Sequence, residues 1–249
     1  MKKVAHIASG LILATSAMIL SSTASAQLTG NVSVSNNYIW RGLTQTTNLP
    51  AVSGGLDWAS DGGFYVGTWV SNVQYDSDDA YSYEHDLYAG FAGEAGDISY
   101  DIGYLYYNYD ANAGYDFSEI YGSIGIGNLS ASVYLLTSAE PDEGPGEDFG
   151  FASASYWEVD YTIPLASGAE FGLHGGFHQG DFAYSFNGVT DDYWDFGVSL
   201  SKDGLSAMIT QTTLGDDDDS DGFEDYASMP ARDNDEIKFV ISYSMDFEL

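Results

Sequence analysis

The chain has 249 residues with 38 Asp and Glu against 6 Lys and Arg and no Cys, which excludes disulfides, zinc–cysteine sites and thiol catalysis. A formal net charge of -32 with no basic stripe repels phosphate backbones, so a nucleic-acid partner is excluded as well. Hydrophobic residues at 44%, among them 20 Tyr, supply enough apolar surface for one folded domain despite the charge.

Residues 1–26 read as a cleaved secretory signal peptide. Lys2 and Lys3 form its basic start, Ile7 to Leu20 its apolar stretch, and Ala24-Ser25-Ala26 an A-x-A cleavage site. The apolar stretch is shorter than the ~20 residues that a membrane-spanning helix needs. Two basic residues and no acids leave with it, so the exported chain keeps four Lys and Arg against 38 acids, a balance of -34. Residues 27–249 are expected to form a single domain.

From Gln27 onward the pattern has period two. Strand-like segments are predicted near 28–43, 50–58, 63–73, 83–92, 98–109, 116–126, 129–137, 152–165, 170–179, 193–200, 205–213 and 236–249. The last shows it most clearly, with Ile237, Phe239, Ile241, Tyr243, Met245, Phe247 and Leu249 on one face and Lys238, Ser242, Ser244, Asp246 and Glu248 on the other. Connectors alternate between short turns, such as Gly127-Asn128, and mostly longer acidic loops, such as Ser138 to Gly150 and Leu214 to Asp235. Short turns at one end and long loops at the other are the organisation of an outer-membrane barrel. The expected fold is therefore all-β: an antiparallel transmembrane up-and-down β-barrel of about 12 strands in the bacterial outer membrane. An exported soluble sandwich shares the periodicity. It is the poorer fit, because Trp40, Trp157 and Trp194 are expected to point outward near the loop ends and Trp58 near a turn end, where aromatic girdles sit.

Residues 37–45, N-Y-I-W-R-G-L-T-Q, with G-G-F-Y-V-G-T-W-V-S-N-V at 62–73, resemble the opening of the TorF-type porin family of proteobacteria. D-L-Y-A-G-F at 86–91, Y-D-I-G-Y-L-Y-Y at 100–107 and E-I-Y-G-S at 119–123 are similar to its next strands. The resemblance implies an outer-membrane barrel with a diffusion role, and it carries no catalytic residue over. The last strand resembles the signal read by the barrel assembly machinery, although it ends Phe247-Glu248-Leu249 and not on an aromatic.

With the apolar faces outward, the expected pore-lining residues are Arg41, Glu84, Asp86, Asp101, Glu119, Glu158, Asp160, His174, His178, Asp195 and Lys238, with Asp57 on the same face. Acids dominate, so such a lumen is expected to concentrate cations. Arg41 and Lys238 are expected on neighbouring walls near the mouth, either facing the acids across the pore or, for Arg41, paired to an adjacent carboxylate.

Asp217, Asp219 and Asp221 followed by Gly222 resemble the start of a calcium loop, but Ser228 stands where a bidentate Glu is expected. A solvated acidic loop gathering Ca²⁺ loosely, shared with lipopolysaccharide, fits as well. His174 and His178 lie about 13 Å apart along one strand, too far for one ion, and read as polar lining that titrates near pH 6.5. No G-x-S-x-G or H-E-x-x-H motif occurs, so no enzyme and no cofactor is expected. The function expected is passive, weakly cation-preferring diffusion of small hydrophilic solutes, with a non-conducting structural or adhesive barrel as the alternative and an outer-membrane enzyme a distant third.

Overall fold

The computed structural model describes residues 27–75, 80–189, 192–215 and 232–249. Its strands are β1 (Gln27–Ser35), β2 (Ile39–Trp40), β3 (Leu43–Thr44), β4 (Ala51–Ala59), β5 (Phe64–Asn72), β6 (Tyr83–Ala95) and β7 (Ile98–Tyr109). They continue with β8 (Phe117–Ile126), β9 (Leu129–Ala139), β10 (Ser155–Pro164), β11 (Glu170–Gln179), β12 (Tyr193–Lys202), β13 (Leu205–Thr212) and β14 (Lys238–Glu248), and one helix, α1 (Asp181–Asn187), precedes β12. All except β2 and β3 form one closed antiparallel barrel of 12 strands in sequence order. β1 closes it by pairing with β4 on one side and β14 on the other, with Thr29 opposite Asp57 and Glu248. Closure leaves no edge strand to protect.

The alternation of the sequence explains which side faces out. Val159, Leu173, Val198, Ile209 and Phe239 are exposed, while their strand neighbours Asp160, His174, Gly197, Thr210 and Lys238 turn inward. Trp157 and Trp194, half exposed, and Trp58 point outward as expected. An apolar belt this wide has no partner among the described residues, and hydrocarbon is the solvent that suits it. Ile102, 62% exposed in the middle of β7, tests this. Ile102→Lys should cost about 2–4 kcal/mol if that face lies near the bilayer midplane. The expected result is a reduced yield of heat-modifiable barrel on refolding into phosphatidylcholine vesicles. An undiminished yield would place this face outside the hydrocarbon.

The interior differs between the two ends. Toward the turns it is lined by small polar residues, with Ser123 opposite Asp101, Ser130 opposite Asp160 and Ser206 opposite Ser201. At mid-height, tyrosines lie flat across the neighbouring strand. A β-carbon on Gly103 would overlap the Tyr121 hydroxyl, so only glycine fits beneath that ring. Toward the loops the barrel is packed with aromatic side chains, among them Trp69, Tyr107, Tyr109, Phe117 and Phe149.

The first predicted strand is where the structure departs from the periodicity. Expected over 28–43, it ends at Ser35, and residues 37–46 fold into the barrel interior, all of them buried. Trp40 is accordingly not part of an outer girdle but 4% exposed inside. The cause is local. The Asn36 side chain takes over the strand's bonds to β14, accepting from Ile241 N (2.6 Å) and donating to Phe239 O (3.1 Å). That releases the following backbone from the ladder.

Candidate functional site: an acid-rich lumen with an inserted hairpin

The inserted segment is a two-residue hairpin. Ile39 pairs with Thr44 and Trp40 with Leu43, leaving Arg41 (φ 50°) and Gly42 (φ 82°) as the turn. Two positive φ values in succession fit the primed turns whose twist matches short hairpins. Gly42 needs no explanation beyond that, and any side chain there would meet Asp195 Cβ on the barrel wall at 2.6 Å. For Arg41 the left-handed conformation is unfavourable by about 1–2 kcal/mol and must be held by its contacts. Asn37 ties the base together, its Oδ1 accepting from Thr44 Oγ1 (2.6 Å) and Thr46 Oγ1 (3.2 Å).

The contacts at the tip supply that hold. Arg41 Nη1 and Nη2 donate to Glu119 Oε1 and Oε2 on β8 at 3.0 and 2.6 Å, a bidentate pair with both side chains under 5% exposed. Nη1 also donates to His178 Nε2 at 3.1 Å. Guanidinium groups only donate, so His178 Nε2 is the bare nitrogen, and Nδ1–H is free to donate to Tyr193 Oη at 3.1 Å. The guanidinium lies 4.2 Å from the Trp40 ring and 4.6 Å from that of Tyr156, a desolvated cation–π sandwich. From above, Phe182 and Phe186 of α1 pack on Phe117, and Phe186 also on Trp40. Hairpin and helix together fill the loop-side half of the barrel.

Arg41 is thus not on the first strand's wall, and it does not share a wall with Lys238. Leaving the β1 ladder at Asn36 carries it across the lumen to β8. Lys238 does face inward at the start of β14, but its Nζ donates to the carbonyls of Arg232 and Asp233, both at 2.5 Å. It fastens the base of the last loop. Asn234 in that base accepts from Thr44 N at 2.9 Å, which ties the same loop to the hairpin.

The remaining pore-lining candidates face the interior, most of them held by tyrosine. Glu84 accepts from Tyr38 (2.8 Å) and Tyr109 (2.9 Å), Asp101 from Tyr65 (2.6 Å), and Asp57 from Tyr88 (2.5 Å). Asp86 Oδ1 is buried without a hydrogen-bond partner among the described residues. His174 sits between Asp160 (Nδ1, 2.8 Å) and Asp195 (Nε2, 2.8 Å), with Glu158 beside them. His178 lies at the Arg41 clamp. Neither inward histidine has a ring nitrogen to spare as a base for a nucleophile. His85, on the outer face, bonds Thr68 Oγ1 at 2.7 Å. Asp217, Asp219 and Asp221 lie outside the described residues.

The tyrosine partners were absent from the sequence expectations, although their inward parity beside inward acids was a readable signal. At the loop end, outside the spanning strands, Asp110 accepts from Ser82 N (2.6 Å), Ser82 Oγ (2.7 Å) and Tyr83 N (3.2 Å). Slight burial raises its carboxyl, but these bonds outweigh it and hold the group below the usual carboxylate range.

A family model covers residues 20–244, nearly the whole described chain. The protein belongs to the family described as bacterial protein of unknown function, Gcw_chp. That description assigns no activity and does not carry the TorF-type name that the strand motifs resemble. No curated protein matches the chain. Among solved structures, one described as "Unveiling the Mechanism Behind the in-meso Crystallization of Membrane Proteins" is similar at 10% identity and a TM-score of 0.52, covering 90% of this chain and 84% of that one. At that identity the likeness is one of fold. A structure described as KdgM porin has a TM-score of 0.48 at 7% identity, over 90% of this chain and 99% of its own. The outer membrane protein opdK from Pseudomonas aeruginosa has 0.36 at 16% identity, over 80% and 57%.

Proposed function

We propose that this protein is exported by its leader, inserted by the barrel assembly machinery through its last strand, and acts in the outer membrane as a diffusion channel. Its cargo is small hydrophilic solutes, with a weak preference for cations, and its mouth is held shut by the hairpin 37–46. The observation that carries the reading is the nature of the closure. The loop-side half is blocked by a separately folded hairpin, fixed at its tip by side chains of the opposite wall. Wall side chains cannot leave a barrel, whereas an inserted hairpin can. Once it withdraws, the exposed wall carries Glu84, Asp86, Glu119, Glu158, Asp160 and Asp195, and carboxylates backed by a low-dielectric wall attract cations. The resemblance of the strand motifs to the TorF-type porins agrees with this. Lipopolysaccharide is the natural neighbour of the acidic loops, through shared Ca²⁺.

The packed aromatic core around Phe117, Phe182 and Phe186 favours a second reading, a permanently filled structural or adhesive barrel. Planar-bilayer recordings across a KCl gradient separate the two. We expect rare discrete steps with a cation-selective reversal potential from the intact protein, and frequent ones when residues 37–46 are replaced by a Gly-Ser linker. A heat-modifiable barrel that stays silent in both forms would reject the channel.

A further inference from the structure

Below the hairpin, on three adjacent walls, β10, β11 and β12 bring together a set of donors that the channel reading uses only as wall charge. Asp160 stands directly opposite His174, and Glu158 lies two residues away on the same inward face of β10. One donor atom each from Glu158, Asp160 and His174 lies within 4.8 Å of the others. On the far side of the ring, His174 Nε2 meets Asp195 Oδ1 at 2.8 Å, and Tyr156 Oη holds Asp195 Oδ2 at 3.1 Å. Asp195 is fully buried, whereas the Asp160 side chain keeps 14% exposure. A pocket lined by Asp160, Thr162, Gly172, His174, Ser199 and Met208 adjoins the cluster and gives an ion room to approach.

We propose that Glu158, Asp160 and His174 bind a divalent first-row transition-metal ion in the lumen, with Asp195 as the positioning residue that orients the imidazole. The arrangement is that of a metal-ligating histidine whose second nitrogen donates to a buried carboxylate. Ligand atoms around a zinc-sized ion stand about 3.4 Å apart, so side-chain shifts of about an ångström close the set. The imidazole nitrogen selects against Ca²⁺ and Mg²⁺, which prefer oxygen alone. In the metal-free protein both ring nitrogens face carboxylate oxygens, Asp160 from β10 and Asp195 from β12, so the ring carries two protons. On binding, the Nδ1 proton leaves to solvent and the ion takes its place, while Nε2–H stays on Asp195. The neighbouring Tyr156 hydroxyl remains protonated as the donor to Asp195. The inference is independent of whether the barrel conducts, because it is read at equilibrium on the closed protein.

The test is titration of the refolded mature protein with Co²⁺, followed by its visible absorption and by equilibrium dialysis, with Zn²⁺ as competitor. One equivalent is expected, displaced by Zn²⁺ and untouched by millimolar Ca²⁺. Glu158→Gln and His174→Asn should each weaken binding by at least tenfold, and Asp195→Asn by about 10–100-fold. Should His174→Asn fail to give a heat-modifiable barrel, Glu158→Gln decides, since it removes neither histidine bond. Absence of saturable binding overturns the proposal. So does binding of unchanged affinity in folded Glu158→Gln, which would place the ion away from this cluster.

Discussion

Arg41→Ala is expected to convert a mostly silent barrel into one that conducts frequently, and to destabilise it at the same time. The Arg41–Glu119 pair is buried and bidentate, and removing one partner leaves the other as an uncompensated buried carboxylate. Such losses cost about 3–5 kcal/mol. Among the described residues Glu119 would keep the Tyr107 hydroxyl alone, 3.0 Å from Oε2. The lost clamp also removes the contacts that hold the hairpin turn in its left-handed conformation, so the hairpin should leave the lumen more readily than the wall unfolds. The measurement pairs bilayer recordings with the temperature at which the folded form disappears on gels. Arg41→Met with Glu119→Leu should regain much of the thermal stability, because it removes both charges. Arg41→Ala that melts and conducts like the parent would show that the clamp holds nothing.

Trp40→Ala should produce an effect of similar size by a different route. Trp40 is buried among Tyr107, Phe117, His178 and Phe186 and covers the Arg41 guanidinium, so truncating it opens a cavity at the junction of hairpin, helix and wall. Large aromatic-to-alanine changes in packed interiors cost about 3–5 kcal/mol. Trp157→Ala is the comparison, because that ring is 52% exposed on the outer face, where lipid fills the space it leaves. Urea unfolding in vesicles, followed by circular dichroism, should show a lower midpoint for Trp40→Ala than for Trp157→Ala. Equal midpoints would contradict the inserted position of Trp40.

These two residues mark where periodicity stops being informative. Val159 against Asp160, or Leu173 against His174, can be sorted from the pattern alone because each strand has lipid on one side and interior on the other. Past Ser35 the alternation lapses into Asn36-Asn37 and then Tyr38-Ile39-Trp40, and that lapse by itself does not distinguish a strand running on in the wall from a hairpin turning inward. Asn36, which caps the β14 ladder with its side chain, and Arg41-Gly42, which forms a two-residue turn between short apolar pairs, were the available clues. Asn-Gly or Asp-Gly would have been a stronger signal than Arg-Gly. The tyrosines were legible as inward residues but not as donors, since a hydroxyl's partner lies one or two strands away.

Length, the alternation of apolar and polar residues and the spacing of turns and loops determined a 12-strand antiparallel barrel with an acidic interior, because each of those features depends on neighbours along the chain or across one ladder. What fills that interior was decided only by the closed structure. Asn37 to Thr46, α1 and the Arg41–Glu119 pair come from distant sequence positions, 78 residues apart for Arg41 and Glu119 and 137 for Arg41 and His178, and meet only once the barrel has closed around them. The grouping of Glu158, Asp160, His174 and Asp195 follows the same rule: strand register puts Asp160 opposite His174, and only the curvature of the wall turns Glu158 and Asp195 toward the same imidazole.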